Sequence, residues 1–335
     1  MRALRYDRYG PPDVLELVEI DEPVPRAGEL KVRVRAASLN PLDAKIRAGH
    51  TRLLPMFERP PRGTGVDFAG EVVGTGGGEV GGYYPGARVF GMVSPFRRAG
   101  TFAEFVCATP GEIATTPESL DDEHAAALPV AGGTAVQALA DEARLASGMR
   151  VLVNGAAGGV GHYAVRYAKH VGAHVTAVCG PSNVEFVRAL GADEALDYTR
   201  EDWRTAATPF DVIFDTTGHT SWRGCRHALA PDGVWVNTSP DAASVARTLA
   251  EKLAARLAGR QRVVAFVLKP GAAAWRRLAK LAEAGALAPH VRATIGLAEV
   301  VDAEREMETG HGRGKVVVVP ARQVGATARV PVDRR

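Results

Sequence analysis

The sequence predicts a two-domain α/β protein, a doubly wound parallel sheet of six strands preceded by a mostly β domain, and three observations predict it. From Arg150 onward, short apolar runs alternate with amphipathic stretches in the manner of successive strand–helix–strand units. Within that region Val151-Leu-Val-Asn-Gly-Ala-Ala-Gly-Gly-Val-Gly161 runs an apolar strand into Gly155, Gly158 and Gly161 and on into a helical pattern. Before residue 125, strand-like runs are punctuated instead by Gly and Pro. A chain of 335 residues is long for one core and suits two.

Taken in order, the first domain is expected over residues 1–124. Its strands are read from Lys31-Val-Arg-Val-Arg-Ala, Gly70-Glu-Val-Val, Arg88-Val-Phe and Phe102-Ala-Glu-Phe-Val. Gly74 to Gly82 has too few apolar anchors for an element and reads as a flexible surface loop. No helical pattern follows its glycines, so they do not form a phosphate cradle. The second domain is expected over 125–285, with strands near 150–154, 174–179, 194–197, 211–215, 233–238 and 262–268. Asn183 to Leu190 and Ala242 to Leu257 supply crossover helices, and Gly172 and Gly191 stand where helices end. A helix near Ala272 to Ala284 leads to the strand Val291-Arg-Ala-Thr-Ile, another helix and the strand Lys315-Val-Val-Val-Val. The stretch 286–320 is expected to rejoin the first domain, and 321–335 to form a loosely held tail.

Composition excludes several classes of function. The formal charge of +3 is small and the cations lie among acids, which argues against a nucleic-acid partner; Arg97-Arg98 and Arg334-Arg335 read as solvated surface. No apolar run is long enough to span a bilayer, and Met1-Arg-Ala-Leu-Arg opens without an apolar signal segment, so a cytoplasmic protein with no membrane partner is expected. Cys107, Cys179 and Cys225 are odd in number and far apart, as expected of reduced, small buried residues, and they lack metal-ligand spacing.

The glycine turn carries the chemistry. The first glycine permits the turn, the second lets backbone N–H groups approach a pyrophosphate, and the third lets the helix pack on the strand with its N-terminus toward the anion. Gly155, Ala157, Gly158, Gly159, Val160 and Gly161 are therefore candidate cofactor-binding residues. NAD-selective sites keep an acidic residue at the end of the second strand. Here that segment is Cys179-Gly-Pro-Ser-Asn183, with Gly180 and Ser182 in place of an acid, which favours NADPH. Ligands of open parallel sheets gather at the carboxyl ends of strands. That places Thr216 on the adenosine side, and Thr238, Ser239, Phe266 and Val267 nearer the nicotinamide.

With this turn following a β domain, the chain resembles the medium-chain dehydrogenase/reductase superfamily, in its zinc-independent quinone oxidoreductase branch. The resemblance covers nearly the whole chain. It rests also on Asn40-Pro-Leu-Asp43 with Arg47 and Gly49, Gly65-Val-Asp-Phe-Ala-Gly70, Thr101-Phe-Ala-Glu-Phe, Ala126-Ala-Leu-Pro-Val-Ala-Gly-Gly-Thr-Ala135 and Gly310-His-Gly-Arg-Gly-Lys-Val. It implies a GroES-like substrate domain, a Rossmann domain with the cofactor in the cleft between them, and hydride transfer from a nicotinamide. Zinc-dependent relatives carry a Cys near the position of Ser38 and Gly-His-Glu where this chain has Gly65-Val-Asp67, so no zinc is expected.

The resemblance also assigns roles. Asn40 lines the nicotinamide and substrate cleft, where its amide can bond a carbonyl oxygen, and Thr134 lies near the nicotinamide unless it only caps a helix. Tyr198 matches a position that contacts the 2′-phosphate. Many relatives place a Lys near Ser182 where this chain has Val184 and Glu185, which leaves Arg188 and Arg200 as substitutes or as solvated cations. His311, Gly314 and Lys315 match a C-terminal motif at the cleft; Lys315 either reaches the cofactor or lies on the surface. Asp43 and Arg47 have the spacing of an i, i+4 ion pair that fixes the loop. Zinc-free enoyl-thioester reductases place a proton-donating Tyr soon after the glycine equivalent to Gly49. This chain has His50-Thr51-Arg52 instead, which makes His50 the candidate acid or a solvated loop residue and tilts the reading toward quinones. The expected activity is NADPH-dependent, zinc-independent reduction of a quinone or an α,β-unsaturated carbonyl. An enoyl-thioester reductase and a non-catalytic NADPH-binding sensor are the alternatives. A homodimer through the coenzyme domain is expected, with Val263-Val-Ala-Phe-Val-Leu268 either at a sheet edge or internal.

Overall fold

The apolar runs after Arg150 form one parallel sheet. In the computed structural model, which describes residues 1–52, 56–97, 99–238, 242–310 and 312–322, its spatial order is Glu194–Asp197, His174–Cys179, Arg150–Asn154, Phe210–Asp215, Leu229–Asn237 and Arg262–Ala265. The chain starts at an inner strand, winds outward to one edge, then returns to build the other half, the doubly wound order in which ligands meet the carboxyl edge at the point of reversal. Helices Gly161–Val171, Val184–Ala189 and Ala242–Ala258 make crossovers. The four inner strands carry apolar runs without alternation, as strands covered on both faces do. Leu152, Phe210, Ile213, Trp222 and Trp235 form their shared core.

The chain divides into two units. Ala131–Lys269 and Gly285–Ala288 form the one just described; Met1–Val130, Pro270–Ala284 and Pro289–Arg335 form the other. Helix Ala272–Glu283, expected with the parallel sheet, belongs to the second grouping, where its apolar face, including buried Trp275 and Leu278, packs on the strand Ile113–Thr115. The amphipathic pattern defines the helix but does not name the surface that receives it.

That unit is organised by a mostly antiparallel sheet in the order Val291–Ile295, Lys315–Val318, Leu30–Ser38, Asp67–Thr75, Arg88–Met92 and Ile113–Thr115, with Phe105–Ala108 also paired to Leu30–Ser38. The C-terminal strands thus complete a sheet begun by residues 30–38, as the sequence implied. A smaller sheet joins Glu16–Glu19, Arg2–Tyr6 and Arg62–Gly63. Leu30, Val32, Phe68, Val89, Ile113 and Val318 are among the core residues.

Three expectations need correction. The first residues of Phe102-Ala-Glu-Phe-Val are not strand; Ala103 makes an isolated bridge to Ala3, and the strand begins at Phe105. The Gly74 to Gly82 segment is not a free loop. Gly76 donates to the Glu29 carbonyl, Gly77 accepts from Gly28, and a Cβ at Gly76 would lie 1.9 Å from the Arg26 carbonyl oxygen. Gly76 is required because another stretch of backbone lies against it, whereas a Cβ at Gly74, Gly77 or Gly82 would meet nothing within 4 Å. Of the cysteines, Cys179 and Cys225 are buried but Cys107 is only partly so.

Candidate functional site

In the parallel-sheet unit, the strand Arg150–Asn154 enters a turn that leans on its neighbour: the N–H groups of Gly155 and Ala156 both donate to the Val178 carbonyl, at 3.1 and 3.0 Å. Gly155 has φ +81°, which a side chain rarely tolerates, and a Cβ there would meet the Thr216 hydroxyl at 2.5 Å. A Cβ at Gly161, the first residue of helix Gly161–Val171, would lie 2.1 Å from the Gly155 carbonyl oxygen. Gly158 is different. A Cβ there would meet only that same oxygen, at 3.4 Å, so the space above the turn is open. An open cradle in front of helix amides that have no intrahelical partner fits the pyrophosphate of a dinucleotide. Ala157 is buried within the turn, and Gly159 and Val160 are half-buried at its mouth.

The carboxyl edge gathers most of the other candidates. Gly180 follows His174–Cys179, and a Cβ on it would come within 3.5 Å of the Tyr198 hydroxyl, so Tyr198 stands beside it with its ring half exposed. Ser182 is exposed in the short helix Pro181–Asn183. Arg188 pairs with Glu185 at 2.7 Å and Arg200 with Asp197 at 3.7 Å, so both proposed substitutes for a phosphate-binding Lys already face a carboxylate. Thr216 uses its hydroxyl on the Asn154 carbonyl at 2.8 Å, and Thr238 donates its N–H to the Asp215 carbonyl at 3.1 Å. Phe266 is buried and Val267 exposed just past the edge strand Arg262–Ala265. Thr134 lies inside helix Pro129–Val136, 8% exposed, and therefore caps nothing. Ser239 and His311 lie outside the described residues.

Asn154 was not singled out from the sequence, and Asp215 was read with Thr216 only as a strand end on the adenosine side, not as the organiser of this edge. Buried Asp215 accepts from the Asn154 amide at 3.0 Å, from the Thr217 N–H and hydroxyl, and from the Thr220 hydroxyl at 2.5 Å. One carboxylate thereby fixes two loops. An acid closing an apolar strand and followed by Thr-Thr is the signal that would have found it.

The other unit holds a second cluster, built of side chains. Its members are Ser38, Asn40, Asp43, Asp67 and Lys315, all buried. The Lys315 ammonium donates to the Asn40 side-chain oxygen at 2.7 Å and to the Leu39 carbonyl at 2.6 Å. Asn40 in turn donates through Nδ2 to the Ser38 carbonyl at 3.1 Å and to Asp67 Oδ2 at 2.9 Å. Asp67 also accepts from the Ser38 hydroxyl and from the Val130 N–H. Burial pushes the Asp67 carboxyl up to about 6, against the pull of Lys315 and its hydrogen bonds. Burial likewise lowers the Lys315 ammonium, which Asp67 and Asp43 oppose. Asp43 is held well above the usual carboxylate range by burial and by the charges of Asp67 and Glu304.

This cluster changes several readings. Asn40 cannot offer its amide protons outward in this arrangement, because both are bound within the protein. Lys315 is neither on the surface nor free; it is an internal cation tying residues 39 and 40 to the C-terminal strand. Asp43 and Arg47 are not partners. Asp43 Oδ2 accepts from the Asn40 N–H at 2.9 Å, whereas Arg47 Nε pairs with fully buried Glu304 at 2.7 Å and its other nitrogens reach Glu308 and the Gly10 carbonyl. The i, i+4 spacing was right, but helix Pro41–Arg47 turns the two side chains to different neighbours. His50 is exposed in the turn after that helix.

Zinc does not fit these residues. Among the described residues, no group of three or more His, Cys, Asp and Glu side chains is placed to hold a metal. At positions 38 and 67 the hydroxyl of Ser38 bonds to a carboxylate already balanced by Lys315, so these two positions present no open set of ligands such as zinc requires.

Comparison with known proteins adds three findings. Residues 26–118 match the alcohol dehydrogenase GroES-like domain and residues 190–318 a family described as zinc-binding dehydrogenase. The chain is 34% identical to the chloroplast envelope quinone oxidoreductase homolog of Arabidopsis thaliana, over 96% of this chain and 98% of that one. It is 32% identical to the mitochondrial NAD(P)H oxidoreductase RTN4IP1 of Mus musculus, over 95% and 89%. The structure of the quinone oxidoreductase from Coxiella burnetii superposes with a TM-score of 0.85 at 33% identity, covering 95% of this chain and 99% of that one.

Proposed function

We propose, from the premise that this chain belongs to the quinone oxidoreductase-like branch of the medium-chain dehydrogenase/reductase family, that it transfers hydride from NADPH to a quinone, with enones as a second acceptor class and without zinc. The reduced nicotinamide supplies the hydride when bound. The chain supplies the cradle at Gly155 to Gly161 and, past the strand His174–Cys179, an end without a carboxylate where Gly180, Ser182 and Tyr198 stand. Nothing in that segment repels a 2′-phosphate, and the exposed Tyr198 stands beside it, which supports NADPH.

The observation that carries the choice of acceptor is the internal commitment of the Asn40 amide. Reduction of an enoyl thioester needs a proton delivered to carbon, whereas a reduced quinone collects protons on oxygen from water. Asn40 bound inward, together with an exposed His50 where enoyl-thioester reductases place Tyr, supports the acceptor that needs no positioned acid. NADPH and NADH oxidation should be followed spectrophotometrically with 1,4-benzoquinone, an aliphatic enone and a crotonyl thioester, with and without chelator. Fastest turnover with the quinone, preference for NADPH and indifference to chelation are expected. Turnover confined to the thioester would make the protein an enoyl-thioester reductase, and tight NADPH binding with no turnover a sensor. The position of Arg262–Ala265 at the edge of the parallel sheet also supports a homodimer joined there, which sedimentation measures directly.

A further inference from the structure

The residue after the last glycine of the turn is His162, fully buried in the first turn of helix Gly161–Val171. Its backbone N–H donates to the Gly158 carbonyl at 3.1 Å, and its ring Nδ1 lies 3.0 Å from the same oxygen. A carbonyl only accepts, so Nδ1 must carry the proton and donate it. The Gly158 carbonyl therefore receives two hydrogen bonds from one residue, and the ring is held against Tyr163 with centroids 3.9 Å apart.

A peptide unit is planar and trans, so fixing its carbonyl also fixes the N–H on its opposite side. The carbonyl of Gly158 is drawn in toward the helix, which turns the N–H of Gly159 out of the helix N-terminus. Gly158 and Gly159 are the residues least able to hold that orientation themselves, since glycine backbones are permissive. A side-chain donor at this point compensates for the freedom that the open cradle requires.

We infer that His162 is a positioning residue for the coenzyme pyrophosphate: its Nδ1–H locks the Gly158–Gly159 peptide with its N–H presented to the anion. The inference rests on the glycine turn holding a dinucleotide, not on the nature of the hydride acceptor. His162 touches no part of the coenzyme and acts through the backbone alone.

The test is the binding of NADPH and of adenosine 2′-monophosphate, which lacks the pyrophosphate, to the wild type, His162→Phe and His162→Asn, measured by fluorescence titration and displacement. The Phe variant keeps a ring of similar size but loses the donor; the Asn variant keeps a donor at the position of Nδ1. His162→Phe should weaken NADPH about three- to tenfold, the range of one lost hydrogen bond, with adenosine 2′-monophosphate unchanged and His162→Asn near wild type. Equal weakening of both ligands, no change in NADPH affinity, or failure of Asn to restore it would each overturn the inference. Should His162→Phe not fold, His162→Leu is the replacement without a donor. If adenosine 2′-monophosphate does not bind the wild type at all, it is the NADPH preference that fails, and NADH with adenosine then gives the same ratio.

Discussion

In the turn at 155–161 the groups that would meet a ligand are main-chain N–H groups, supplied by seven consecutive residues whose side chains are nearly absent. Around Asn40 the polar groups are mostly side chains, brought together from residues 38 to 43, 67 and 315, and buried. The first region recognises charge with fixed dipoles and keeps space open for it. The second already contains its charges, with Lys315 facing Asp67 across the Asn40 amide. The glycines of a backbone cradle are damaged by added atoms, whereas a buried charge network is damaged by removing any one member.

That contrast can be broken most directly at Lys315. Lys315→Met removes the cation and leaves Asp67 buried among neutral donors, which should cost about 3–5 kcal/mol of stability by urea unfolding. A cost near zero would mean that Asp67 is uncharged in the native protein.

Charge in the network should also appear in the pH dependence of stability. Asp67 titrates at about 6 when folded and at 3.8 as its ordinary value. The folded state thus holds this proton more tightly, so the stabilisation is present below pH 4 and is lost as pH rises from about 4 through about 6. Relative to Asp67→Asn, wild-type stability should fall across that window by an amount on the order of 3 kcal/mol. Parallel profiles for the two proteins would place the Asp67 carboxyl at its ordinary value.

The glycines sharpen the other side with smaller effects. Gly161→Ala sets a Cβ 2.1 Å from a carbonyl oxygen and should cost about 1–3 kcal/mol of stability. Gly158→Ala, whose Cβ has only a 3.4 Å neighbour, should leave unfolding nearly unchanged while weakening NADPH about tenfold, because the methyl group occupies the cradle. Equal loss of stability in both variants would show that Gly158 is a packing residue.

These regions also differ in how far they were legible. The six strands, their helices and the glycine turn were read correctly because each is specified by neighbouring residues: an apolar run, a helix-ending glycine, a three-residue spacing. The return of Lys315–Val318 to the first sheet was also expected from the order of elements along the chain. Arg47 was assigned to Asp43 because only Asp43 is near in sequence; its partner Glu304 is 257 residues away. Lys315 was left between cofactor and surface because a lysine at a strand start is usually solvated. The signal against the surface was the unbroken Val316-Val-Val318 behind it, which marks a strand covered on both faces. Asn40 was recognised as a site residue, but the direction of its amide depends on Lys315 and Asp67, which no local pattern reveals.

Lys315 also bears on the birth of the protein. The strand that carries it lies between Leu30–Ser38 and Val291–Ile295, so residues 30–38 cannot complete their sheet until residues 315–318 have been made. The parallel-sheet unit, drawn from the middle of the chain, has every strand in hand some fifty residues sooner. Domains generally fold as units, with earlier segments first during synthesis. Here the order is inverted: the interior segment can fold while residues 30–75 wait with Asp67 and Asp43 uncovered, and the arrival of one lysine completes their sheet.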